Sequence, residues 1–302
     1  MDDSQAAAAP SKVETGLTPA QVELRRQGVG ASEAYRACLL DAELWAIKTG
    51  RMPPLESDAF LRLGNAIEPY IVDEYWRQYG MPGVKLTVKP NTLKIGRQIA
   101  HLDALVTPPK KPPIVVQAKW RGHRDGWGAR GSSDVPDEVF VQTQQEMFLA
   151  EAVSAHVPVL FLRPPIEVFV VAFNEEMAKT ITEGVERFWE YVKTDTPVPI
   201  DPAADGSLAA VRKVYTSIRG DRVRATADLE HWRSVFHDAT AKWNRYATVA
   251  DSAKAHLLLA MENAGEMEFE DGAILRRKLV KVSGYTVDPR EHIEARFLKA
   301  KE

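Results

Sequence analysis

Asp103, Gln117 and Lys119 are the residues whose types and spacing point to chemistry. Asp103 lies in the short apolar run Ala100-His-Leu-Asp-Ala-Leu-Val106. The next run, Pro113-Ile-Val-Val-Gln-Ala-Lys-Trp120, places Gln117 and Lys119 two apart, which in a strand puts both side chains on one face. A carboxylate in such a place can hold a divalent cation, and an amide oxygen can add a ligand. A lysine ammonium can orient an attacking water and offset charge on a phosphate. The set reads as a metal-assisted nuclease site. Two strands joined by a Pro-Pro-Lys-Lys-Pro-Pro turn also occur in α/β proteins without catalysis, so the remaining elements have to carry the distinction.

Those elements begin with Thr18-Pro19, an N-cap and first-turn proline opening a short helix through Arg26. The tight turn Gly28-Val-Gly-Ala-Ser32 follows. A serine hydroxyl and backbone N–H groups at a helix start can hold a phosphate, and Ser32 serves equally as a plain N-cap. Phe60 to Trp76 carries apolar residues at helical spacing, with Glu68 beside the stripe. A carboxylate there is costly to bury unless it is paired or ligates a metal. Strand signals run from Val84 to Val88, from Thr92 to Ile95, and through the Asp103 and Gln117 runs. The glycine-rich loop Arg121 to Gly131 then brings Arg121 and Arg124, residue types that contact a phosphate backbone or line a solvated loop. Asp134 to Glu138 caps a helix through Leu149, on which Gln142, Gln145 and Glu146 share one side and could line a cleft above the sheet. His156 to Leu162 and Ile166 to Ala172 form an antiparallel strand pair, and Asn174 to Tyr191 a long amphipathic helix. The order gives a mixed α/β (α+β) fold without a dinucleotide-binding turn or a phosphate-cradling P-loop.

Composition sets wide bounds. The 302 residues are 45% hydrophobic and 27% charged, with a formal charge of −3, so nucleic-acid binding requires local clusters of Lys and Arg. The single cysteine, Cys38, excludes an internal disulfide framework and fits a reducing compartment. No apolar run is long enough to span a bilayer, and the acidic, Ala-rich start is unlike a signal peptide. The expectation is a cytoplasmic protein with a disordered leader over 1–15 and no membrane contact.

The ordered motifs resemble the lambda exonuclease and YqaJ-type viral recombinase group of the PD-(D/E)xK nuclease superfamily. Arg26 to Ser32 resembles its first motif, one residue shorter than in lambda exonuclease. Leu44-Trp with Lys48-Thr-Gly50 resembles a YqaJ-type helix end, and Gly64 to Glu68 the helix with a metal-binding glutamate. Asp103 takes the aspartate position, Gln117-Ala-Lys119 the E-x-K position, and Gln142-Thr-Gln144 with Met147 the glutamine-rich helix. The resemblance implies a restriction-endonuclease-like core with a mixed central sheet flanked by helices. It implies that Glu68, Asp103 and Gln117 ligate Mg²⁺ or Mn²⁺, that Lys119 assists the water, and that Arg26 with Ser32 binds a terminal phosphate. Gln142 and Gln144 would support the site or touch DNA. It further implies a 5′ to 3′ exonuclease on duplex DNA ends that leaves a 3′ overhang. A single-strand annealing partner, a trimeric ring, and a phage or prophage origin in a bacterial host cytoplasm belong to the same expectation.

Gln117 departs from the pattern, which has an acid there. A carboxylate about 4 Å from a divalent ion contributes on the order of 8 kcal/mol of gross Coulomb energy at an effective dielectric near 20. Its replacement by an amide leaves two readings: an active exonuclease, or a weakened or inactive DNA-end-binding scaffold on the same fold. The core is expected over 16–200 and a C-terminal extension over 201–302. There Ala227 to Asn263 reads as a long helix with Trp232, Phe236, Trp243 and Tyr246, the pattern of packing or self-association. Phe269 to Pro289 reads as a β-hairpin whose Arg276, Arg277, Lys278 and Lys281, with Arg296, Lys299 and Lys301, could meet DNA or shield a solvated edge.

Overall fold

The computed structural model describes residues 23–53, 59–204, 206–215, 222 and 224–276. The leader expected over 1–15, most of the first helix and the basic residues beyond Arg276 lie outside them. The chain divides into two compact units, 1–216 and 217–302.

The larger unit is built on a mixed sheet. Its centre is β8 (Ser154–Phe161), whose residues Val157 to Leu160 are buried in succession, as expected of a strand covered on both faces. On one side β9 (Glu167–Ala172) pairs with it antiparallel, as the sequence predicts. On the other side β6 (Ile114–Val116) and β7 (Lys119–Arg121) both pair with it in parallel. Both have the same offset along β8, since Val116 faces His156 and Lys119 faces Val159. They are therefore two pieces of one strand line, interrupted at Gln117 and Ala118. Antiparallel β5 (Ala104–Thr107) and β2 (Lys85–Val88) complete the sheet beyond β6. A second, three-stranded sheet has β4 (Gln98–Ala100) in the middle, with β1 (Val29–Gly30) parallel and β3 (Leu93–Ile95) antiparallel to it.

Helices cover these sheets. They are α1 (Ala34–Cys38), α2 (Ala42–Lys48), α3 (Ala59–Tyr79), α4 (Asp137–Ala150), α5 (Glu175–Lys193) and α6 (Ser207–Val214). Asn174 caps α5 by accepting from the Met177 N–H. The N-cap of α4 is Pro136, which makes no side-chain cap, so the acidic stretch before it provides first-turn charges from Asp137 and Glu138 rather than a capping box. Val214 is buried with Leu44, Trp45 and Phe188, which attaches α6 to the first unit although it lies past residue 200.

In the second unit α7 (Ala227–Met261) is a 35-residue helix capped by Thr226. The hairpin that follows pairs β10 (Glu266–Glu268) with β11 (Ile274–Arg276) and begins three residues before the Phe269 start read from the sequence, with its turn ending at Gly272; the rest of the expected span, past Arg276, lies outside the described residues. Gly272 has φ +81°, a value that favours glycine. Arg276, expected at a basic surface, pairs with Glu266 across the hairpin at 2.5 Å. Among the described residues no helix is long and apolar enough to cross a membrane.

Helix α4 locks the two sheets together with polar side chains. Gln145 is wholly buried, and its Nε2 donates to the carbonyls of Val29 and Ile99, both at 3.1 Å. Its Oε1 accepts from Gln98. Buried amides of this kind hold because their donors and acceptors are met. Gln145→Leu removes those partners and is expected to lower stability by about 1–3 kcal/mol, read from the midpoint of urea unfolding. An unchanged midpoint would show that Gln145 does not fasten β1 and β4 to α4.

Candidate active site

The gap between β6 and β7 has a local cause. The Gln117 N–H donates to the His156 carbonyl at 3.0 Å. In a parallel ladder the next rung would be donated by residue 158, and Pro158 has no N–H. The strand line parts there, and Asp103, immediately before β5 on the side away from β8, meets it. Its Oδ2 accepts from the Ala118 N–H at 2.8 Å and from the Gln117 amide Nε2 at 2.7 Å. The two-apart relation of Gln117 and Lys119 survives across the break, and both lie beside Asp103 as the sequence predicts.

Lys119 Nζ donates to Gln142 Oε1 at 2.8 Å, and Gln142 Nε2 donates to Glu146 Oε1 at 2.8 Å. A strand lysine is thereby linked through one amide to a helix carboxylate four residues further along α4. Burial, and next the charge of Glu68, raise the Asp103 carboxyl to about 7. Burial, and next the charge of Asp103, raise Glu146 to about 8. Burial lowers Lys119, opposed by the charges of Asp103 and Glu146. The interior therefore holds titratable groups of both signs whose charged forms need one another or a cation.

Two buried oxygens here accept no hydrogen bond: Gln117 Oε1 and Glu146 Oε2. Gln117 is 5% exposed and Glu146 1%. Oxygen atoms held ready without a donor suit a hard cation such as Mg²⁺. Among the described residues no three His, Cys, Asp or Glu side chains form a metal-binding group, so any such site mixes carboxylate with amide oxygen. Glu146 was absent from the residues assigned a role by sequence, although its place on one side of the helix with Gln142 was legible.

The other candidates divide. Glu68, on α3 just before the in-helix Pro69, pairs with Lys89 at 3.1 Å. The Lys89 N–H donates to the Asp103 carbonyl at 2.8 Å, so this pair borders the site. Ser32 receives Nη2 of Arg25 at 3.2 Å, whereas Arg26 is largely exposed and pairs with Glu23. The arginine facing Ser32 is thus one residue earlier than expected, because the helix ends at Arg25 and Arg26 already lies in the following turn. Arg25 also has a buried Nε without a hydrogen-bond partner. Its backbone is fixed by Lys48, buried at 4% exposure, which donates to the Arg25 carbonyl at 2.8 Å and to Glu33 Oε2 at 2.7 Å. Glu33 in turn accepts from the Gly30 N–H. Lys48 and Glu33 are positioning residues that spacing alone did not single out.

Three expected contacts are used internally. Gln144 is buried, donating to the Ala172 carbonyl and accepting from the Asn174 N–H, so it fastens α4 to β9 and leaves no atom for DNA. Arg124 pairs with Glu167, donates to the Gly128 carbonyl at 2.7 Å and stacks over Phe161. Arg121 is half-buried beside Trp120, whose carbonyl it meets at 3.0 Å. Gln142 faces the site but acts within it, between Lys119 and Glu146.

The raised carboxyls have a consequence for stability. Unfolded carboxyls ionise near about 4. Folded, Asp103 holds its proton to about 7 and Glu146 to about 8. Their contribution is complete below the unfolded range and is lost as pH rises through the folded values. The metal-free protein should therefore unfold at lower temperature at about pH 8 than at about pH 5, and Glu146→Gln should flatten part of that decline. A melting temperature in EDTA that rises over this interval would contradict the assignment of these carboxyls as buried and raised.

Comparison with known proteins places this geometry in context. No curated protein matches the sequence at a significant level. Among solved structures, an alkaline exonuclease from Laribacter hongkongensis aligns at 16% identity and a TM-score of 0.47, covering 59% of this chain and 94% of that one. The same enzyme in complex with dAMP aligns at 15% identity and a TM-score of 0.46, with 59% and 94% covered. A phage-related exonuclease from Haemophilus somnus aligns at 12% identity and a TM-score of 0.44, with 55% and 94% covered. A family model matches residues 21–153, a span that contains every site residue described above from Arg25 to Glu146. That model describes the YqaJ-like viral recombinase domain.

Proposed function

We propose that the protein is a metal-dependent DNA exonuclease that hydrolyses phosphodiester bonds of linear duplex DNA. The observation that carries this reading is the opening at Pro158, where Asp103, Gln117 and Lys119 converge with an unpartnered Gln117 oxygen. Asp103 and the Gln117 amide would hold Mg²⁺ or Mn²⁺, with Glu68 bordering the site. A bound divalent cation supplies Lewis acidity toward the phosphate and lowers the pKa of water. Lys119 holds a proton-bearing ammonium where a water and the scissile phosphate would meet, and burial lowers its basicity, easing release of that proton. Arg25 with Ser32 offers a charged and a neutral donor for a terminal phosphate. Polarity from the 5′ end, a 3′ overhang passed to an annealing partner, and a trimeric ring in the host cytoplasm complete the reading by resemblance. In the competing reading the neutral Gln117 leaves a protein that binds DNA ends without cutting them.

Digestion of linear duplex DNA with a 5′-phosphate separates the two. Metal-dependent nucleotide release, silent in EDTA and lowered at least ~100-fold by Asp103→Ala and by Lys119→Ala, is expected. End binding without cleavage under either metal, with cleavage restored by Gln117→Glu, would replace the enzyme by the scaffold. A second expectation concerns the phosphate. Arg25→Ala should abolish preference for 5′-phosphorylated over 5′-hydroxyl ends, measured by competition, while Arg26→Ala keeps it. The reverse outcome would return the contact to Arg26.

A further inference from the structure

Glu146 is the most deeply enclosed acid of the described site. It is 1% exposed, one oxygen accepts from Gln142 at 2.8 Å, and the other has no hydrogen-bond partner. A buried acceptor left open is costly, so its persistence calls for a ligand absent from the protein itself. A second open oxygen, Gln117 Oε1, belongs to the same cluster. The two are tied to one another's neighbours: Gln117 to Asp103 directly, Glu146 to Lys119 through Gln142.

The charge balance points the same way. Gln117 is neutral, and Glu68 is engaged with Lys89 at 3.1 Å. Asp103 alone would offset the Lys119 ammonium and leave no net negative charge for a divalent cation. With Glu146 included, two carboxylates face one ammonium. Hard cations are held by charged oxygen ligands, and neutral amide oxygens bind them more weakly. Helix α4 is well placed to deliver the second charge, because position 146 follows Gln142 by one turn and lies on the same face.

We propose that Glu146 is the second anionic ligand of the divalent cation in this site, supplying from the helix the negative charge that Gln117 does not supply from the strand. The donor set is then two carboxylates, Asp103 and Glu146, and the Gln117 amide oxygen. This assignment rests on the metal-dependent reading above.

The test is Mn²⁺ binding to the metal-free full-length protein, read from loss of the free-ion electron paramagnetic resonance signal, with heat unfolding as a control of folding. Glu146→Gln, which keeps the shape of the side chain, should weaken Mn²⁺ roughly tenfold or more. Adding Gln117→Glu to it should recover most of the loss, since the charge is returned to the opposite side of the same cluster. Asp103→Asn should abolish binding. Wild-type affinity in Glu146→Gln, with binding lost in Asp103→Asn, would overturn the role of Glu146 and leave the metal site standing. A loss in Glu146→Gln that Gln117→Glu does not repair would also overturn it. Absence of Mn²⁺ binding by the wild-type protein, alone and with duplex DNA, would remove both readings together.

Discussion

The site depends on the Asp103 carboxylate accepting from the Ala118 N–H and the Gln117 amide at the point where a strand line parts. Pro158 lies in the central strand of the sheet, and opposite it the neighbouring strand line parts at Gln117 and Ala118. The Gln117 N–H points to β8, and the Ala118 N–H, one residue on, points to the β5 side of the strand line, where Asp103 meets it. Asp103 thereby gains a backbone N–H and a side-chain amide, with Lys119 beside it. Proline is rare in central strands because it removes a rung, and here the strand line beside Pro158 parts within two residues of Lys119.

Burying Asp103, Lys119 and Glu146 together is unfavourable unless the charges compensate one another, because each loses its hydration. Gln142 carries the connection by accepting from the lysine and donating to the glutamate, which a charged side chain could not do at both ends. The neighbouring Gln145 and Gln144 bond outward, to β1 and β4 and to β9 and the start of α5. One helix thus contributes three glutamines with three different tasks. The middle of the molecule is polar because each amide is matched, except at the two oxygens that face the proposed cation.

Much of this was legible in the sequence. Gln117 and Lys119 could be grouped because period-two strands place alternate residues on one face, and the antiparallel partnership of β8 with β9 followed from two apolar runs and a short connection. Glu146 was harder, since helical spacing groups it with Gln142 but cannot say whether that side faces the sheet or which acid the tertiary fold encloses. Gln144 drew attention by its motif, yet a position two residues from Gln142 is rotated about 200° around the helix and meets β9 instead. Arg25 and Arg26 could not be separated by spacing, because the choice depends on how the preceding helix ends. Lys48 reads in the sequence as a helix-end residue, whereas the fold buries it against Glu33 and the Arg25 carbonyl.

Anomalous diffraction from crystals of the protein soaked in Mn²⁺ tests the central claim most directly. The account predicts one dominant peak within coordination distance of Asp103, the Gln117 side-chain oxygen and Glu146, with Lys119 close by and making no bond to it. A peak elsewhere in the first unit, or none at concentrations that support DNA cleavage, would contradict the assignment of the opening at Pro158 as the catalytic centre.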